Sequence, residues 1–124
     1  MNQKRVAAER RGRAAEWVAA VFLMAKGYRI LGHRLRSAYG EVDLAAWKSG
    51  ILVIVEVKAR ASLAAGVFAV TERQQQRLIQ AGRKLAGRWR LGAAPIRFDI
   101  IVVHGLRVLV HRRGAFEARE GDAG

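Results

Sequence analysis

Behind a basic opening segment (Lys4, Arg5, Arg10, Arg11, Arg13), apolar residues recur at Val18, Val21, Phe22 and Ala25, the spacing of one helix face. A helix is expected from about Val6 to Lys26, with Gly27 placed to cap its C-terminus. The pattern shifts to β-favouring types at Tyr28-Arg29-Ile30-Leu31, which predicts a first strand over about 28–36. Two further β-type runs, 40–48 and 51–58, flank Ser49-Gly50 and read as a hairpin with a two-residue turn. Residues 61–70 are small and loop-like. Thr71-Glu72-Arg73-Gln74 then matches the capping box, in which two side chains satisfy amides exposed at a helix start. The helix it opens is expected over about 72–89. Leu78, Gly82, Leu85 and Trp89 form its apolar stripe, and Arg73, Arg77, Arg83, Lys84 and Arg88 its polar surface. After Pro95, alternation at Phe98, Ile100 and Val102, then at Leu106, Val108 and Val110, gives two strands around His104-Gly105. The order α-β-β-β-α-β-β, without an internal repeat, predicts one α/β domain over 1–124, a mixed sheet flanked by two main helices. Its ordered core is expected over about 6–113, with a flexible tail at 114–124.

Length and composition support a folded chain. At 124 residues the chain can bury roughly two-thirds of its unfolded surface, and 52% hydrophobic residues with one proline exclude a disordered or collagen-like chain. Against 10 acidic residues stand 23 Lys and Arg, a net charge of +13, which points to a polyanionic partner. The absence of cysteine excludes disulfides, thiolate zinc sites and a cysteine nucleophile, and is consistent with a cytoplasmic location. His33, His104 and His111 are too scattered for a metal cluster. The longest apolar stretch, Ala14 to Ala25, is short of the ~20 residues of a membrane span and contains Glu16, so no membrane association is expected. It also lacks a small-x-small cleavage site, and the N-terminus reads as mature structure.

The central hairpin carries the candidate chemistry. A two-residue turn pairs residue i with residue 99 − i, which sets Asp43 against Glu56 and Glu41 against Lys58, all four on one face of the ribbon. Opposed residues have Cβ atoms ~4.5–5.5 Å apart, so two ionised carboxylates there repel unless a cation lies between them. Oxygen donors without histidine or cysteine suit Mg²⁺ or Mn²⁺ and disfavour zinc, with the Val57 carbonyl as a candidate third ligand. Lys58 is placed to stabilise a pentacovalent phosphate or to orient the attacking water, and the expected reaction is phosphodiester hydrolysis. Val53, Ile54 and Val55 make this strand apolar on both faces until Glu56, the mark of a central strand, where ionised carboxylates need partners. The same spacing fits a solvated pair at a sheet edge. Glu16 is the only charged residue between Ala14 and Ala25; it either reaches the same site or lies on the helix surface.

Gly12-Arg13-Ala14-Ala15-Glu16, Gly27-Tyr28, Gly40-Glu41-Val42-Asp43-Leu44, Val55-Glu56-Val57-Lys58-Ala59-Arg60 and Arg97-Phe98-Asp99 follow one another in an order and spacing that resembles the YraN-type bacterial family, over about residues 9–112. That family resembles in turn the PD-(D/E)XK nucleases, among them restriction endonucleases and Holliday-junction resolvases. The resemblance implies a restriction-endonuclease-like αβββαβ core and a Mg- or Mn-dependent endonuclease acting on nucleic acid, with DNA of branched or irregular structure favoured. By this resemblance Asp43 takes the Asp of the first motif, Glu56 and Lys58 the Glu-x-Lys, and Glu16 the acidic residue of the first helix, while Glu41 assists. Gln74 stands where a lysine is expected, and no proline precedes Asp43.

Arg13, Arg34, Arg36, Arg60, Arg73, Gln75 and Arg77 are candidates for holding the phosphate backbone. The few aromatics are not spaced as a base-stacking platform, and Trp47 with Leu52 is expected to pack under a helix. Arg97 and Asp99 are expected to form a structural ion pair. A non-catalytic nucleic-acid-binding module or accessory subunit that keeps the nuclease fold is the alternative function, and a homodimer is compatible with cutting two strands.

Overall fold

The computed structural model describes residues 3–117. Its elements are α1 (Gln3–Ala25), β1 (Arg29–Ser37), β2 (Gly40–Lys48), β3 (Ile51–Ala59), α2 (Glu72–Arg88), β4 (Ile96–His104) and β5 (Arg107–Phe116). The five strands form one sheet in chain order, antiparallel at every step except the parallel pair β3/β4. This is the mixed α/β architecture the residue pattern predicts, with an αβββαβ core extended by β5. Parallel neighbours cannot be joined by a tight turn, and α2 lies within the crossover that returns the chain from β3 to β4.

Local chemistry accounts for the joints. Gly27 at φ 90° ends α1, where the Tyr28 amide donates to the Leu23 carbonyl at 2.9 Å. Ser49 and Gly50 both take positive φ, as a two-residue hairpin turn matched to strand twist requires. Thr71 and Gln74 complete the capping box at the start of α2.

The sheet is covered on both faces. Ala15, Ala19, Ala20 and Leu23 of α1 pack on Leu44, Val53, Val55 and Ile101; small residues let this helix approach closely. On the other face Leu78, Ile79 and Leu85 of α2 pack on Val42, Ala45, Leu52, Ile54 and Phe98, and Trp47, paired with Leu52, joins this core as expected. The segment after β3, read from sequence as a plain loop, contributes Val67, Phe68 and Val70 to a third cluster over Ile100 and Val102.

The C-terminal boundary differs from expectation. β5 continues past Arg113 to Phe116 because the Gly114 amide donates to Asp99 Oδ1 at 3.0 Å and Phe116 stacks on Phe98, centroids 4.8 Å apart. Residues 118–124, the rest of the expected tail, lie outside the described residues.

Candidate active site

The β2–β3 ladder keeps the expected register from Lys48 opposite Ile51 as far as Leu44 opposite Val55, then stops. At Asp43 the backbone pairing gives way to a side chain: Asp43 Oδ2 accepts the Val57 amide at 2.8 Å. Residues two apart on a strand normally share a face, yet Leu44 packs in the α1 core and Val42 in the α2 core. Across the β1–β2 ladder Arg34, at φ 46°, lies between the pairs His33–Leu44 and Leu35–Val42, so both strands are irregular at the same level. The one-face arrangement of Glu41, Asp43, Glu56 and Lys58 expected from the register therefore does not form. Asp43 sits where the strands part, between Glu16 on α1 and Glu56 on the α2 side.

These carboxylates are partly removed from water. Glu16 is 7% exposed and receives Arg34 Nε at 2.9 Å on Oε1. Burial and the neighbouring Asp43 carboxylate raise its pKa, against the pull of Arg34. Burial also holds Asp43 above its ordinary range, opposed by the Val57 amide. Glu56 is pushed to about 7 by burial and by the charge of Asp43, which Arg77 and Lys58 offset only in part. The Asp43 and Glu56 carboxyls lie close enough that the charge of Asp43 favours a proton on Glu56. The pair thus presents one place for a positive charge. Two oxygen donors of this kind fit a hard divalent cation such as Mg²⁺ or Mn²⁺, which keeps several waters of its own. Among the described residues no group of three or more His, Cys, Asp or Glu side chains is arranged to hold a metal.

Lys58 follows Glu56 on the α2 face and donates to the Ala69 carbonyl at 3.3 Å. With Glu56, Val70, Gln74 and Arg77 it lines a narrow recess. Arg77 Nη1 donates to the Glu41 carbonyl at 3.0 Å, tying α2 to β2 beside the carboxylates. The Glu41 side chain is exposed and lies 3.9 Å from Arg36 Nε on β1, so the expected Glu41–Lys58 pair is replaced by one with its other neighbour strand. Gln75 Nε2 donates to the Val70 carbonyl at 2.9 Å. Arg34 is engaged with Glu16. Arg13, Arg36, Arg60 and Arg73 are exposed, with Arg60 Nη1 donating to the Ala59 carbonyl at 2.8 Å.

Asp99 takes the structural part expected of it. It is 1% exposed and receives Arg97 Nε and Nη2 at 2.9 and 2.8 Å, with His111 Nε2 2.7 Å from its Oδ2. Burial pushes its carboxyl upward, but the bonds to His111, Arg97 and the Gly114 amide outweigh this and hold it below the ordinary range. The sequence reading missed one aromatic pair: Trp17 of α1 and His33 of β1 lie 5.2 Å apart, centroid to centroid.

Comparison with known proteins places the same segments in one group. The model of the family described as Uncharacterised protein family UPF0102 matches residues 15–103, which include Glu16, Asp43, Glu56, Lys58 and Arg77. A UPF0102 protein of Rhodopseudomonas palustris (strain BisA53) is 43% identical over 120 residues, covering 93% of this chain and 89% of the relative. One of Bradyrhizobium sp. (strain ORS 278) is 48% identical over 118 residues, covering 94% and 84%. One of Caulobacter sp. (strain K31) is 52% identical over 104 residues, covering 82% and 75%.

Proposed function

The chain belongs to the family described as Uncharacterised protein family UPF0102, and from its carboxylate pair and adjoining lysine we propose that it is a metal-dependent endonuclease hydrolysing phosphodiester bonds, with DNA of branched or irregular structure as the favoured substrate. The observation that carries this reading is the half-buried Asp43–Glu56 pair, which shares a single place for positive charge, with Lys58 two residues on. Asp43, Glu56 and the Val57 carbonyl would hold Mg²⁺ or Mn²⁺, whose chemistry is to acidify a bound water and neutralise charge developing on phosphate. Lys58 would supply a positive charge to orient the nucleophile or stabilise the pentacovalent phosphate. Arg77 holds β2 in place while lending positive charge to Glu56. Glu16 and Arg34 form a partly buried ion pair that keeps α1 against the site and positions Asp43 through its charge. Exposed Arg13, Arg36, Arg60 and Arg73 would gather the backbone.

A second reading, a nucleic-acid-binding module without catalysis, is favoured by the two-carboxylate donor set, smaller than the three side chains that close many metal sites. Cleavage separates the two. Labelled linear, single-stranded, flap and four-way-junction substrates are incubated with and without Mn²⁺ or Mg²⁺. Metal-dependent products from wild type are expected, with Asp43→Asn and Lys58→Ala reduced at least 100-fold. Binding without products under either metal, unchanged in Asp43→Asn, overturns the nuclease reading and leaves the binding module.

A further inference from the structure

An apolar cavity of about 180 Å³ opens between α1 and β1, beside the carboxylates and on the face opposite α2. Ala20, Ile30 and Leu44 form its inner wall, and Trp17, Met24 and His33 its rim. Glu16 closes the end nearest the site, and Leu44 is the residue next to Asp43. Trp17 is 59% exposed and tilted 47° against His33, so its large π-surface faces solvent at the mouth of a cleft and not the core.

Resting on the nuclease reading, we propose that this cavity receives one unpaired nucleobase of the strand held at Asp43 and Glu56, stacked on Trp17 and His33. Three observations choose this occupant. The cavity shares Glu16 with the carboxylate cluster, so a base entering it keeps its own phosphate within reach of the site. Arg34 stands beside it on β1, and the chain carries +13 overall, which attracts a polyanion and opposes a second copy of the same chain on this face. An apolar slot with an aromatic rim suits the π-face common to all bases and carries little hydrogen-bonding selectivity, so recognition should depend on whether a base is unpaired and not on which base it is. Strands with bulged, flapped or junction nucleotides then become the preferred class over continuous duplex.

The test is fluorescence anisotropy at fixed moderate salt with chelator present, so that binding is read without cleavage. The probes are a duplex with one bulged nucleotide, the same duplex with that nucleotide abasic, and a fully paired duplex. Wild type should bind the bulged probe more tightly than either control. Trp17→Ala should lose roughly 5- to 150-fold on the bulged probe, the range for one stacked base, and less than twofold on paired duplex, while Trp17→Phe retains most of the preference. Equal losses on all probes, no loss, or a change in oligomeric state of Trp17→Ala by sedimentation overturns the base pocket while leaving the nuclease reading intact. Failure of wild type to bind any probe also overturns the base pocket, and the cleavage assay with metal decides the nuclease reading separately.

Discussion

Asp43 and Glu56 are two acids that compete for one proton, and stability should report it. Glu56 stands at about 7 against an ordinary 4.5, so between those values the folded chain retains a proton that the unfolded chain has released. Its effect on stability is therefore most favourable below about pH 4.5 and declines as pH rises through 7, by an amount on the order of 3 kcal/mol. Asp99 acts oppositely: its lowered pKa supports the fold above the ordinary carboxylate range and is lost on acidification through the lower folded value. In thermal melts at pH 8, Asp43→Asn should exceed wild type without metal, because it removes the repelling charge and keeps an oxygen for the Val57 amide. Millimolar Mn²⁺ should raise the wild-type midpoint by several degrees and leave the variant nearly unmoved. Equal metal responses would show that the pair does not hold the ion.

At the level of elements, Gly40 opens β2 at φ 112°, and a β-carbon there would meet Arg77 Nη1 at 2.9 Å. Gly40→Ala should cost about 1–2 kcal/mol through backbone strain and displace Arg77 from the Glu41 carbonyl, read as a lowered melting midpoint with weakened cleavage. The seven elements were legible in the sequence because each carries its own local signal: the capping box of α2, Gly27 after α1, and the Ser49-Gly50 turn that sets the 99 − i register. What local patterns could not show was the end of that register at Leu44. It depends on a positive φ at Arg34, a residue type that gives no warning of one, and on Asp43 taking a backbone partner with its side chain. Hence the approach of Asp43 to Glu56 followed from spacing, whereas Glu41 faces Arg36 on β1 and not Lys58. The Trp17–His33 contact arises from helix-to-sheet packing and has no counterpart in strand arithmetic.

For the whole molecule, a surplus of 13 positive charges makes phosphate attraction general, and the carboxylates have little part in it. Affinity for a long duplex should fall steeply with salt, by about a thousandfold or more between 50 and 200 mM if six or more phosphates are engaged. Asp43→Asn should show the same slope; a flat salt dependence in a binding titration would mean that the surface charge is not the interface. The sheet has two open margins, β1 and β5, and each carries three arginines: Arg29, Arg34 and Arg36 on one, Arg107, Arg112 and Arg113 on the other. Unpaired strand margins invite other chains to add on, and like charges along them discourage it. The arginines along both margins thus work against copies of the protein joining margin to margin into fibres. Bound nucleic acid would neutralise that guard, so the complex, and not the free protein, is the state in which crowded copies come closest to ordered aggregation.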